Sequence, residues 1–538
     1  MRKIFTVPIA SCVLFLSVFA VSTSLPINNI LAWANSSTSQ ISEESGLLNQ
    51  AQQYLEVSQN LKAFEIYKQA LKLYQKLGDT KGQALAYIGM GNAYYSHEQL
   101  FPLATTRVNV FGDFSLMEGE KSFREALYLA KKIKNTQLEA QALAGIGRAI
   151  DRLSMYDRAI SYYEQALSIT RQIGDRKLEG RLLNYIGESR IERSDLLNTA
   201  NYHQQAVTIA QESGDQQGEA LALQSLCRLY RYRSDYEVVN KTNKAGAMQK
   251  QAKQYCQKAL AIFKQVNDSS RSINVLRSLA SEYKDLVNPQ ESIGYYQQIL
   301  AIAKSNNDRQ EVKSTLTILG NSYEELNEYQ QAIDYYLQAL NLFQPAEIND
   351  LDAYYVYKYL GRSYVYLNQY QIAISYYQKA LTIAQDYRKQ NNEEYFFYER
   401  EILSDLADAY YGQNDFHKAV EFYGNSLALY KDSSDEEMRG YLLCSLGVSQ
   451  YGLGNYQLAI ANYLASLKIY QSLTMPKEQA VLLANLGEAW FAYGEYQKSI
   501  DAYQKALLIY QQLDDRDAAI QLTSEIKKVT DTLVNKKS

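Results

Sequence analysis

Proline is scarce, with 6 among 538 residues, and only 26 glycines accompany it. So few helix breakers leave room for long uninterrupted helices. Histidine is rarer still, at 3 residues. No phosphate loop, nucleophile elbow or zinc-protease pattern occurs, so the usual sequence marks of an enzyme are missing. His97 and His417 lie at turns with no second ligand at helical spacing, and His203 takes a position that is otherwise aromatic, so neither a metal nor a cofactor is expected. No excess of one charge is present either: 55 basic against 59 acidic residues give a net charge of −4, which argues against a general nucleic-acid binder. Four cysteines, Cys12, Cys227, Cys256 and Cys444, show no disulfide framework and no zinc spacing.

Long apolar runs are absent except at the start. Arg2 and Lys3 precede the run from Ile4 to Val21, and Ala32-Trp33-Ala34 supplies small residues at the cleavage positions. This pattern predicts a secretory signal peptide over residues 1–34, cut before Asn35. The alternative is an uncleaved N-terminal membrane anchor. An exported mature chain (periplasmic, lumenal or secreted) would place its three remaining cysteines where thiols can pair, with no membrane insertion after cleavage. Residues 35–46, rich in Ser, Thr, Asn and Glu, read as a flexible linker.

What the chain has in plenty is tyrosine, 48 residues, arranged in a repeat. From Ala159 to Gly187 the sequence holds one helix with Ala159, Tyr163 and Ala166 on a face, a Gly174-Asp175 turn, and the start of a second helix. The pattern returns about every 40 residues. A small residue marks each first helix: Ala51, Gly91, Gly147, Gly187, Cys227, Ala280, Gly320, Gly361, Ala407, Gly447 and Gly487. In the second helices Tyr67, Phe123, Tyr163, Tyr296, Tyr336, Tyr377, Tyr423, Tyr463 and Tyr503 fill one aromatic slot. Much of the tyrosine is therefore interhelical filling, with its hydroxyl at the edge of the packed layer. Eleven two-helix units span residues 47–514, and residues 515–533 read as a capping helix ahead of a 534–538 tail. The register stretches near 101–115, 235–249 and 385–395, and the first of these insertions is apolar, with Phe101, Phe111 and Phe114. Insertions on a regular scaffold fall either on a binding face or in a tolerant turn.

Leu316-Thr-Ile-Leu-Gly320-Asn-Ser-Tyr323, followed by Ala332-Ile-Asp-Tyr-Tyr336-Leu-Gln-Ala339, resembles the tetratricopeptide repeat. The resemblance covers Leu47 to about Leu513, with a longer period than usual and without the usual closing proline. Arrays of this long-period kind resemble those of exported bacterial repeat proteins and those preceding caspase-like peptidase domains. No residues of such a peptidase domain stand among the 538, so that activity is not carried over. The resemblance implies an all-α, right-handed α-solenoid of about eleven hairpins plus a C-terminal capping helix, whose first helices line a concave groove that binds peptide segments. Mapped onto this chain, the groove carries a basic zone of Arg148, Arg152, Arg181, Arg228, Arg231, Arg277 and Lys284, and an aromatic zone of Tyr411, Tyr441, Val448, Tyr451, Val481 and Phe491. The first is either an anion grip, with Arg228 and Arg231 acting together, or a solvated mixed-charge face. The family's clamp for a C-terminal carboxylate does not transfer, because Asn92 and Asn321 have no basic neighbour of the required kind. Cys227 and Cys256 occupy facing positions of the fifth unit, either as a disulfide or as two buried thiols. The expected function is a non-enzymatic exported scaffold for a protein or peptide partner. The alternatives are a self-associating array, hence a homo-oligomer, or the sensor arm of a separately encoded enzyme.

Overall fold

A computed structural model of the chain describes residues 46–55, 59–95, 110–192, 198–239, 244–284, 289–344, 347, 350–391, 396–430 and 435–537, leaving aside the side chains of 95, 110–116, 282–284, 390–391 and 537. The expected signal peptide, linker and most of the apolar insertion lie outside these residues. All regular structure among the described residues is helical. The helices are α1 (46–55), α2 (Asn60–Leu77), α3 (Thr80–Tyr95), α4 (Val110–Lys132), α5 (Thr136–Arg152), α6 (Tyr156–Ile173), α7 (Arg176–Glu192), α8 (Thr199–Ser213), α9 (Gln216–Val239), α10 (Ala245–Gln265), α11 (Ser269–Lys284) and α12 (Pro289–Ser305). There follow α13 (Arg309–Glu325), α14 (Tyr329–Leu340), α15 (Leu351–Tyr366), α16 (Tyr370–Asn391), α17 (Phe396–Gly412), α18 (Phe416–Leu429), α19 (Glu436–Gly452), α20 (Tyr456–Ser472), α21 (Pro476–Tyr493), α22 (Tyr496–Gln512) and α23 (Arg516–Lys537). Taken in pairs they make eleven hairpins and a final helix, an all-α solenoid. Two compact halves, up to Val275 and from Leu276, divide within α11.

Local chemistry sets the helix ends. Gly78, Gly174 and Gly214 stand at φ of 70°, 73° and 66°, the left-handed geometry that closes a helix at no steric cost to glycine. The side chains of Asn135, Asp308, Asp415 and Asp435 each accept a backbone N–H three residues on, capping α5, α13, α18 and α19. Pro476 sits in the first turn of α21, where no N–H is needed.

Packing inside five of the hairpins rests on a tyrosine ring lying over a missing side chain. A Cβ added at Gly147, Gly320, Gly361, Gly447 or Gly487 would fall 2.3–2.5 Å from Tyr163, Tyr336, Tyr377, Tyr463 or Tyr503 respectively. Those five tyrosines are 0–4% exposed, so the contact is filled on both sides. Where the small column of a second helix holds serine, its hydroxyl is satisfied by the facing backbone. Ser292 donates to Ala280, Ser426 to Arg400, Ser466 to Gly440 and Ser499 to Gly487, at 2.6–2.9 Å.

Successive first helices also approach one another directly: α3 with α5, α5 with α7 and α7 with α9 in the N-terminal half, then α13 with α15, α15 with α17 and α19 with α21 in the C-terminal half. No consecutive second helices approach comparably among the described residues. The first helices therefore form an inner row, unbroken from α3 to α9 and from α13 to α17, with α19 beside α21 and joined to α17 through the Tyr441–Asp408 hydrogen bond, and side chains pointing off it share a face.

Three stretches differ from the sequence expectation. In the fifth hairpin the added residues lengthen both helices instead of forming a loop: α9 runs 12 residues past Cys227, where α7 runs 5 past Gly187. The segment near 385–391 likewise continues α16 as helix, with 392–395 outside the description. The final helix continues to Lys537, so most of the expected tail is its last turn. Leu533 packs into the terminal cluster, and Lys536 Nζ donates to the Tyr496 hydroxyl at 2.6 Å.

Replacing Gly361 by alanine is expected to lower the stability of the C-terminal half by about 1–3 kcal/mol, because the new methyl must displace the Tyr377 ring. Urea denaturation of Gly361→Ala, and of the double variant with Tyr377→Leu, checks this: the second change should recover part of the loss, and an undisturbed midpoint in Gly361→Ala refutes the packing account.

Candidate functional site on the inner face

In the C-terminal half the buried slot tyrosines Tyr336 and Tyr423 reach polar side chains of the first helices through their hydroxyls. The Tyr336 hydroxyl lies 2.6 Å from Asn321 Oδ1 and 3.0 Å from Glu324 Oε2, its one proton shared between these two acceptors, and Tyr423 donates to Asp408. The same tether recurs at the N-terminal end, where Tyr67 reaches Gln52. Each ring thus fills the interior while its oxygen orients a polar group at the rim.

The aromatic zone lies wholly in this half, on α17, α19 and α21. Tyr411 and Tyr441 are each 38% exposed and Val481 is 41% exposed. Val448 and Tyr451 are half-buried against the cluster beneath them. Tyr441 donates to Asp408 Oδ1 at 2.8 Å, joining α19 to α17, and Tyr451 donates to Glu488 Oε1 at 3.0 Å, joining α19 to α21. Burial, with the charge of Glu488 beside it, pushes the Tyr451 phenol up to about 12. Phe491 behaves differently. Its ring meets Tyr496 edge-on and lies under Lys528 of α23, so it serves chiefly to seat the capping helix, a role its exposure in a bare repeat would not reveal.

The basic zone divides between the halves, with Arg277 and Lys284 in the C-terminal one. Most of its charge is already engaged. Arg181 grips Asp215 through two bonds of 2.9 and 3.1 Å. Arg228 pairs with Glu188 and with Glu192, Arg277 pairs with Glu311, and Arg148 lies over the Tyr185 ring. Arg152 is exposed, Arg231 is half-buried, and the Lys284 side chain lies outside the description. In this geometry Arg228 is bound up in a salt bridge rather than held open beside Arg231.

A polar cluster that sequence reasoning missed joins α13, α15 and α17. Arg362 clamps Glu324 with two bonds of 2.6 and 2.8 Å, and Lys358 pairs with Glu401 and, at 3.9 Å, with Asp405. Asp405 Oδ2 is sealed from solvent with no hydrogen-bond donor. Burial raises the Asp405 carboxyl from its ordinary 3.8 to about 7, against the opposing pull of Lys358. Only the i, i+3 and i, i+4 rows within a helix are visible in sequence, and these partners come from neighbouring repeats.

The sulfurs of Cys227 and Cys256 are joined across the fifth hairpin, with a Cα–Cα distance of 5.2 Å. The pair replaces the small residue and aromatic ring of the other hairpins. His203 fills the aromatic slot of the fourth hairpin over Gly187, accepts or donates one bond to Asn184 at 2.8 Å, and is held neutral by burial, which pulls its pKa down to about 3. Among the described residues no group of three or more His, Cys, Asp or Glu side chains could hold a metal, and no helix is long and apolar enough to cross a membrane.

The fold and its inner face define a helical-repeat solenoid. Two family models, both described as tetratricopeptide repeat, match residues 311–386 and 437–512, and residues 142–177 and 402–437. This chain is a tetratricopeptide-repeat protein. No curated protein matches it. Among solved structures, BtubC (BKLC) from P. vanneervenii is 19% identical, with 47% of this chain and 91% of that one covered at a TM-score of 0.34. The apo form of RapI is 17% identical, covering 42% and 84% at a TM-score of 0.35. YrrB, described as a TPR protein with an unusual peptide-binding site, is 18% identical, covering 41% and 97% at a TM-score of 0.30.

Two measurements follow from this geometry. A carboxyl whose native pKa lies above its unfolded value binds extra protons on folding, so its contribution to stability is lost as pH rises from about 4 through about 7. Asp405→Asn is therefore expected to be more stable than the parent at pH 8, by about 1–2 kcal/mol, and no more stable at pH 4. Denaturation at both pH values decides, and a variant weakened at pH 8 refutes it. Denatured, unreduced protein covering residues 35–538 should titrate a single thiol, Cys444, and three would mean that Cys227 and Cys256 are reduced.

Proposed function

We propose that this protein is an exported, non-enzymatic adaptor that receives an extended protein segment on the inner face of its C-terminal half. Tetratricopeptide repeats are protein-interaction modules. The observation that carries the assignment to this face is the exposed strip of Tyr411, Tyr441 and Val481, each more than a third open on an otherwise closely packed row of helices. Large apolar side chains left open in a line along a rigid row favour association. On the same face the hydroxyl of Tyr441 is tethered to Asp408 and that of the half-buried Tyr451 to Glu488, so little freedom of these two side chains is lost on binding. Tyrosine anchored in this way offers contact area together with a polar edge, the composition common at binding hot spots. Export is supported by the Arg2-Lys3 start, the Ile4–Val21 run and the Ala32-Trp33-Ala34 site. The basic zone is a weaker candidate, since three of its six arginines, Arg181, Arg228 and Arg277, face acidic neighbours of the chain itself.

Crosslinking capture from the exported compartment, with residues 35–538 as bait, tests the assignment. A partner taken by the parent should be lost when Tyr411, Tyr441 and Tyr451 are changed together to alanine, while circular dichroism of the variant is unchanged. Equal capture by the variant removes this face from the proposal.

A further inference from the structure

Charge across this face is one-sided. The stretches 401–412, 440–452 and 480–493, which make up most of α17, α19 and α21, contain Glu401, Asp405, Asp408 and Glu488 and no lysine or arginine. Glu401 and Asp405 are turned toward Lys358 at one border. Asp408 and Glu488 have no cationic partner among the described residues. Both hydroxyls that reach Asp408, from Tyr423 and Tyr441, bond its Oδ1, and Tyr451 bonds Oε1 of Glu488. One oxygen of each carboxylate is thus anchored, and the other takes no hydrogen bond from the described residues. A carboxylate held by one oxygen presents the second in a fixed direction, which suits a guanidinium or ammonium donor. The same face carries Tyr441, Val448 and Tyr451 on the intervening α19 and Val481 on α21, which offer apolar contact. The basic residues of the same helices, Arg400, Arg439 and Lys477, stand near their N-terminal ends, outside these stretches, so an anionic segment would meet the carboxylates first.

Resting on the adaptor reading above, we propose that this face selects a cationic segment: an extended stretch with two arginine or lysine residues, one held by Asp408 and the other by Glu488, and apolar residues between them. Asp408 and Glu488 stand two first helices apart, which at 8–10 Å per neighbouring helix is roughly 20 Å. An extended chain rising about 3.3 Å per residue crosses that distance in about six residues. The basic residues of the ligand should therefore lie about six positions apart.

Selection of a random displayed peptide library on the protein covering residues 35–538, followed by fluorescence polarisation, tests this. The polarisation probes are a labelled peptide with arginines six positions apart and leucines between them, and two copies with glutamine or glutamate in place of arginine. The library should enrich lysine and arginine, and the arginine peptide should bind at least about tenfold tighter than the glutamine one, with the glutamate one weakest. Glu488→Gln and Asp408→Asn should each shrink that preference several-fold. Glu488→Gln, on an exposed side chain, serves as the variant that cannot fail through misfolding of a buried site. Asp501→Asn, on the outer helix α22, should leave the preference intact, and an equal loss there would assign the effect to bulk charge and overturn the inference. Enriched peptides without basic residues, or equal affinity for the arginine and glutamine probes, overturn it while leaving the binding face standing. A library that enriches nothing, with probes that do not bind, removes both.

Discussion

The close approach of a tyrosine ring to a glycine on the facing helix is the contact on which the rest of the molecule depends. Hairpins of a solenoid have no shared centre, so each must fill its own interior and bury its outer sides against its neighbours. A ring lying over a backbone with no Cβ achieves the first at high density. Changing either partner alone leaves a collision or a void, which ties the two columns of the repeat together. The fifth hairpin departs from the rule in a way that respects the geometry: with sulfur at both positions, the two helices are joined covalently where others are merely packed.

The same contact has a consequence at the surface. A ring long enough to cover the glycine carries its hydroxyl to the inner row, where it must find an acceptor. Asn321, Glu324 and Asp408, all on first helices, supply one. The phenol that packs the hairpin thereby also orients a carboxylate of the first helix, Glu324 for Tyr336 and Asp408 for Tyr423. The C-terminal half adds a second layer of such tethers, from Tyr441 and Tyr451, running between repeats. Neutralisation within the basic zone works in the opposite sense: arginines that neighbouring acids hold are structural members first.

Much of the fold was legible in the residues because the repeat imposes one spacing many times. The small columns, the aromatic slot, and the glycines that end helices at positive φ each follow from helical geometry over short distances. Less of the candidate site could be read this way. The exposed positions of Tyr441 and Val481 follow from their place in the first helices, but Phe491 shares that register and is nonetheless drawn under α23 by Tyr496 and Lys528. Repeat position assigns a direction to a side chain without saying what the next element places above it. The fifth-hairpin insertion shows the same limit. Its residues read as a break in register, and they became added turns of α9 and α10, because extending two helices already paired keeps their backbone bonds satisfied where a long loop would not.

The residues alone determined the number of hairpins, the identity of the ring and gap that close each one, and the face on which first-helix side chains emerge, since all three depend on contacts within about 40 residues whose spacing is periodic. Only the tertiary structure decided which charges on that face are spent. Arg362 meets Glu324, Lys358 meets Glu401, and Asp408 and Glu488 take tyrosine hydroxyls in place of cations, through pairings between successive repeats. Such pairings depend on the offset and rotation of one hairpin against the next, a quantity set by packing and written in no local spacing.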